Sequence, residues 1–194
     1  MSYVNRKGDV YYVFQGVTKT GKPKYFISRK AESKAGVQID ALPVEFELYE
    51  SPVDARVSVR KRVPSDITNN ELEFVREQAN TWAPEQRTQV VREGQFIVVY
   101  ISESIGALDS ISGEYSGVSQ RFVKAVQLSG PKSPAFRFKL VRKKERIFRA
   151  QRFCYRGSID DWVGLGYDGM LDELCKKYFK HLGKESFFDL MWDG

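Results

Sequence analysis

The segment AFRFKLVRKKERIFRAQRFCYR, residues 135–156, decides how this chain reads. Phe136, Phe138 and Leu140 alternate with Arg137, Lys139 and Val141, which is the two-residue repeat of a strand with one buried face. The charged run from Arg142 through Lys143 and Lys144 to Glu145 suits a solvated turn. Ile147–Tyr155 then returns to strand composition, with Phe148, Phe153 and Tyr155 set among Arg149, Arg152 and Arg156. The alternation of this second strand is imperfect, which predicts a bulge or partial cover on both faces. A basic β-hairpin follows.

Its charge is as telling as its period. With Arg146 included, the 22 residues hold nine Lys or Arg against one acid, a net charge of +8. Residues 1–134 carry only +2 and residues 157–194 carry −4, so the chain's overall +6 belongs to one segment. Such a concentration raises a local positive potential that attracts polyanions, while leaving the fold unspecified. The plainer role for these cations is protection of a sheet edge against association.

At 194 residues, with 42% hydrophobic and 13% aromatic residues, the chain has the composition of a globular protein of one large or two small domains. No apolar run approaches membrane-spanning length, and Met1–Ser2–Tyr3 opens without an apolar signal core. Cys154 and Cys175 match no metal or redox spacing. These features lead us to expect a cytoplasmic protein with reduced thiols and no membrane association. The single histidine, His181, leaves a nucleophile only one imidazole as its base and rules out a multi-histidine zinc site within one chain. His181 is expected in the last turn of a helix, where a cation suits the dipole. No metal or cofactor is expected.

Outward from the hairpin, Val10–Gln15 and Lys24–Arg29 are aromatic and β-branched runs joined by a Thr18–Gly21 turn. Val44–Tyr49 alternates with Val44, Phe46 and Leu48 inward and Glu45 and Glu47 outward. Arg56–Arg62 alternates too, and pairing of the two strands would set the glutamates against the arginines. Thr68 and Glu71 form a capping-box pattern at the start of a helix over 68–82, with Ile67 and Leu72 placed as its hydrophobic staple. Leu72, Val75, Ala79 and Trp82 give that helix its apolar stripe, and Pro84 stops it. Strands are expected over 86–92 and 95–102, so that residues 1–102 form an antiparallel sheet covered by one helix.

Within this region, Gly21–Lys22–Pro23–Lys24–Tyr25–Phe26, Ala41–Leu42–Pro43, Phe46–Glu47–Leu48–Tyr49–Glu50–Ser51–Pro52 and Val57–Ser58–Val59–Arg60 resemble the elements of a group of uncharacterised bacterial proteins. That group carries G-x-P-R-Y-[YF]-F, I-P-x-G-[YF]-E-[IV]-Y-E-N and V-x-L-R. The resemblance spans roughly residues 20–100. Val44–Glu45 lacks the group's glycine, and Ser51 also departs from its pattern. No activity comes with it.

Nine of the 18 residues from Ser102 to Ser119 are Ser or Gly, the composition of a linker or surface loop. Residues 1–103 therefore read as an N-terminal α+β subdomain, 104–119 as a linker or loop, and 120–194 as a C-terminal subdomain of basic hairpin and helix, a single domain being the alternative. Arg121–Leu128 has strand composition. After Gly157 the chain turns acidic. Met170, Leu171, Leu174, Cys175, Tyr178, Phe179 and Leu182 share one face of a second helix, over 168–182, with Asp168 as its N-cap and Gly183 as its C-cap. The apolar tail from Ser186 to Trp192 is expected to dock as a short helical turn. The fold class is α+β, mostly antiparallel, with these two principal helices.

Gly164-x-Gly166-x-x-Gly169 is a literal dinucleotide fingerprint, but no buried parallel strand precedes it and no second βα unit follows, so it reads as a loop leading into a helix. Glu32–Ser33–Lys34 falls in a loop. Asp160–Asp161 beside Trp162 is the best carboxylate pair for Mg²⁺, although capping a helical turn and pairing with arginines explains it more simply. The function expected is non-enzymatic binding of nucleic acid, single strands above all, by Arg137, Lys139, Arg142, Lys143, Lys144, Arg146, Arg149, Arg152 and Arg156 with Phe148, Phe153 and Tyr155. The alternatives are a protein-interaction module meeting an acidic protein surface, or a carboxylate- and Mg²⁺-dependent phosphoryl-transfer enzyme.

Overall fold

The computed structural model describes residues 1–84, 87–102, 130–156 and 159–190. It is an α+β protein of antiparallel sheets, and the chain divides into two compact units, Met1–Arg62 and Val63–Gly194. Among the described residues no helix is long and apolar enough to cross a membrane.

The first unit is all β. Strands β1 (Ser2–Val4), β2 (Val10–Val17) and β3 (Pro23–Ser28) pair in that order, and β4 (Val37–Gln38) also pairs with β2. The turn between β2 and β3 closes where the sequence places it. Thr18 N–H donates to the Lys22 carbonyl at 2.8 Å, and Gly21 takes φ +78°, which a side chain would resist. Strands β5 (Phe46–Glu50) and β6 (Val57–Lys61) form the second hairpin, in which Glu47 faces Arg60 and the two pair at 2.8 Å. Val44, expected inward, is 79% exposed because β5 begins only at Phe46. The loop from Ser51 is fixed from outside: Arg6 donates to Glu50 Oε1 and to the Ser51 carbonyl, and Asn5 Nδ2 donates to Ala55 O at 2.9 Å.

The second unit is a five-stranded sheet in the order β11-β10-β9-β8-β7. Its strands are β7 (Gln89–Glu93), β8 (Phe96–Ser102), β9 (Lys132–Arg142), β10 (Ile147–Arg156) and β11 (Ile159–Gly169). Helix α1 (Asn69–Trp82) starts at an N-cap Thr68 with the full capping box. Helix α2 (Leu171–Tyr178) runs into a 3-10 turn, Phe179–His181, and a second turn follows at Glu185–Phe187. Phe136, Phe138 and Phe148 of the basic hairpin meet Val75 and Ala79 of α1 and Leu174, Tyr178 and Phe179 of the C-terminal helical segment in one core.

Three expectations change. Composition puts the boundary at 104–119, yet β8 and β9, which flank that segment, are neighbours in one sheet, and the division falls after Arg62. The segment itself and Arg121–Leu128 lie outside the described residues. Residues 159–169, read as a helical turn and a loop, form strand β11, because the long free edge of β10 gives them a partner that composition does not reveal. The helix expected from 168 therefore begins at Leu171 after N-cap Met170, and Asp168 stays in the strand. The expected bulges are present: the β10 register shifts against β9 after Ile147 and against β11 between Arg149 and Gln151.

The capping box makes a quantitative statement. Thr68→Ala removes the acceptor of the Glu71 N–H (3.2 Å) and should lower unfolding free energy by about 1 kcal/mol, whereas Thr68→Ser should change it little. Urea melts of both variants test this, and equal stabilities for Ala and Ser would contradict it.

Candidate nucleic-acid interface

Alternation along β9 forces the geometry. Burying Phe136, Phe138 and Leu140 against the helices turns Arg137 and Lys139 to the opposite face. Pairing in register then lays side chains across that face in rows. One row runs Glu93, Phe96, Lys139, Arg149, Asp168; the next runs Val91, Val98, Arg137, Gln151, Gly164. Beyond them Phe153 lies opposite Trp162, the rings edge to face with centroids 5.1 Å apart. Val98 and Tyr100 are buried here as well, while Lys139 and Arg149 are exposed.

Arg137 is the centre of the face. Its guanidinium lies 4.4 Å from the Phe96 ring centroid and 4.5 Å from that of Trp162, and Nε donates to Gln151 Oε1 at 2.7 Å. Burial lowers its pKa, while the charges of Asp161 and Glu93 act the other way. Lys139 Nζ sits 5.8 Å from the Phe96 ring. Neither Phe96 nor Trp162 stands among the residues expected at the site. Sequence signals only their chemistry: Trp162 adjoins two aspartates, and Phe96 opens a strand 41 residues before Arg137.

The other hairpin cations divide into two groups. Four are engaged inside the protein. Lys143 pairs with Asp66 at 2.6 Å, and Arg146 Nε donates to Glu71 Oε1 at 2.8 Å. Arg149 makes a bidentate pair with Asp168, both contacts 2.8 Å, which holds the Asp168 carboxyl below its usual range. Arg152 is 3% exposed and meets carbonyls instead of carboxylates, those of Leu190 and Phe188. Lys139, Arg142 and Lys144 form the second group: all three are exposed, and none makes an ion pair among the described residues. Phe148 is 1% exposed in the core and unavailable for stacking, since it points to the helix side of β10. The side chains of Tyr155 and Arg156 lie outside the described residues.

The remaining motifs lose their special standing. Gly164, Gly166 and Gly169 belong to an antiparallel edge strand, not to a turn opening a helix. Asp160 and Asp161 are successive residues of that strand, so they face opposite ways, and Asp161 Oδ1 accepts from its neighbour Trp162 N–H. No cluster of three His, Cys, Asp or Glu suited to a metal ion occurs among the described residues. Both cysteines are buried, and burial pushes the Cys175 thiol pKa up. His181 contacts Ser186 Oγ at 2.9 Å, and burial, then Lys180 and Lys184, lowers its pKa, so the neutral ring is favoured over the cation expected at a helix end. No protein-family model, curated protein or solved structure matches the chain.

The Arg146–Glu71 pair ties the hairpin turn to the start of α1 and carries a pH signature. Burial alone would raise the Glu71 pKa, but hydrogen bonds from Arg146 and Thr68 outweigh it and hold the carboxyl below its ordinary 4.5. A depressed folded-state pKa stabilises the fold fully above the unfolded value and loses that contribution as pH falls through the folded one. Glu71→Gln should therefore be less stable than the parent at neutral pH, with the gap closing below pH 4.5. Urea melts across that range check it; a gap unchanged down to about pH 3 would contradict it.

Proposed function

We propose that this chain binds single-stranded nucleic acid across the face of its five-stranded sheet that carries Arg137, opposite Phe136, Phe138 and Phe148. The observation that carries this reading is Arg137 held between Phe96 and Trp162, with the unpaired cation Lys139 on the same face and the unpaired Arg142 and Lys144 at the hairpin's turn end. Aromatic rings and a guanidinium on one surface offer stacking to unpaired bases of any identity, worth about 1–3 kcal/mol per base. Flexible exposed ammonium and guanidinium groups neutralise phosphates and release counterions, which gives affinity without strong sequence preference. A duplex hides its base faces and gains only the second term. Lys143, Arg146, Arg149 and Arg152 take no part, because breaking their internal contacts would leave carboxylates or carbonyls unpaired.

Fluorescence anisotropy with a labelled oligothymidine, read as a function of salt, tests the proposal. Affinity should fall steeply as salt rises, and the duplex should bind more weakly. Combined replacement of Lys139, Arg142 and Lys144 by Ala should flatten the log–log salt slope by about 2, at roughly 0.7 per phosphate on a single strand. Stability should barely move, because exposed unpaired charges contribute little to folding. An unchanged slope, or no binding at low salt, would overturn the proposal and leave a protein-interaction module as the leading alternative.

A further inference from the structure

Among the described arginines of the hairpin that are held in a fixed position, Arg137 alone keeps both terminal nitrogens unspent. Arg146 meets a carboxylate and two carbonyls, Arg149 gives two of its three nitrogens to the Asp168 carboxylate, and Arg152 donates from all three nitrogens to carbonyls. Arg137 donates only through Nε, to Gln151. Its two terminal nitrogens have no hydrogen-bond partner among the described residues, and Asp161 and Glu93 act on it through charge alone. Yet it is half-buried and positioned on three sides, by two rings and an amide. Removing a cation from water without completing its hydrogen bonds is costly, so this arrangement favours a ligand that supplies the missing acceptors.

The geometry of a guanidinium says what those acceptors are. Its paired N–H groups match two acceptors lying side by side in one plane. Guanine presents O6 and N7 in that relation, whereas adenine offers a donor amino group where guanine has O6, and thymine lacks an equivalent pair. Two phosphate oxygens would also satisfy it. The neighbourhood favours the base. Phe96 and Trp162 flank the cation with ring surfaces suited to a planar ligand, and Lys139, Arg142 and Lys144 are better exposed for phosphates. Room exists in the same row, where Gly164 has no side chain. A hollow of about 460 Å³ lined by Arg149, Val163, Gly164, Gly166 and Asp168 opens there.

We infer that Arg137 gives the single-strand site a preference for guanine, read through O6 and N7. The inference rests on the proposed sheet-face binding and adds a specificity to it. The test compares anisotropy titrations of an oligothymidine with those of the same oligomer carrying one central guanine, one 7-deazaguanine or one adenine. The guanine oligomer should bind about tenfold tighter than oligothymidine, the size expected of one bidentate base contact. The 7-deazaguanine and adenine oligomers should lose most of that gain on the unaltered protein, a comparison that needs no variant to fold. Arg137→Lys keeps the charge but not the fork, and should bring the guanine-to-thymine ratio close to one. Oligothymidine binding with no guanine preference would overturn the inference and leave the sheet-face reading intact. A preference that survives Arg137→Lys, or an equal loss for every oligomer, would assign Arg137 to phosphate or to structure and overturn it too. Failure of every oligomer to bind at low salt would remove both.

Discussion

Everything in the second unit depends on the burial of Phe136, Phe138 and Phe148 beneath the helical layer. Each is essentially inaccessible, and full burial of such a side chain is worth about 2–3 kcal/mol. Because successive strand residues face opposite ways, this one constraint settles where the hairpin charge goes. A one-residue slip of β9 would drive Arg137 and Lys139 into the core and expose Phe136 and Phe138, so the register is strongly specified. The cationic face is thus the geometric complement of the aromatic core, written in the same residues.

Arg152 is the exception to this sorting, since it shares the buried face of β10. It is tolerated there because the C-terminal segment brings carbonyls to it, from Phe188 and Leu190, while Phe187 packs on Phe136 with ring centroids 5.0 Å apart. Core packing and polar satisfaction therefore depend on the same docked segment. The remaining charge is partitioned by distance to carboxylates. Asp66, from the approach to α1, Glu71, from its first turn, and Asp168, from β11, neutralise Lys143, Arg146 and Arg149. What was a run of +8 in sequence becomes a stacked arginine and a small set of unpaired cations, Lys139 on its face and Arg142 and Lys144 at the turn end.

Elements whose signal is local were legible before the structure. The hairpin follows from the alternation of its first strand and the charged turn after it, the start of α1 from Thr68 and Glu71, and the Glu47–Arg60 pair from two facing alternating strands. Strand β11 was not legible, because Ile159–Gly169 is rich in glycine and aspartate and becomes a strand only by pairing with β10. The same failure hid the site. Asp168 reads as a helix cap until Arg149 is seen to hold it in the sheet, and Trp162 reads as an isolated aromatic until β11 brings it over Arg137. The unit boundary was misplaced for a related reason: composition marks the Ser/Gly-rich segment, whereas strand pairing joins the chain on either side of it.

The claim that the sheet has one face for the core and one for the ligand is tested most directly by amide chemical-shift mapping of the whole chain titrated with a short oligothymidine. The account predicts that the shifts gather on β8 to β11 around Phe96, Arg137, Lys139, Gln151 and Trp162, with the outward positions of α1 and α2 unmoved. Shifts confined to the helical layer, or to Met1–Arg62, would contradict it.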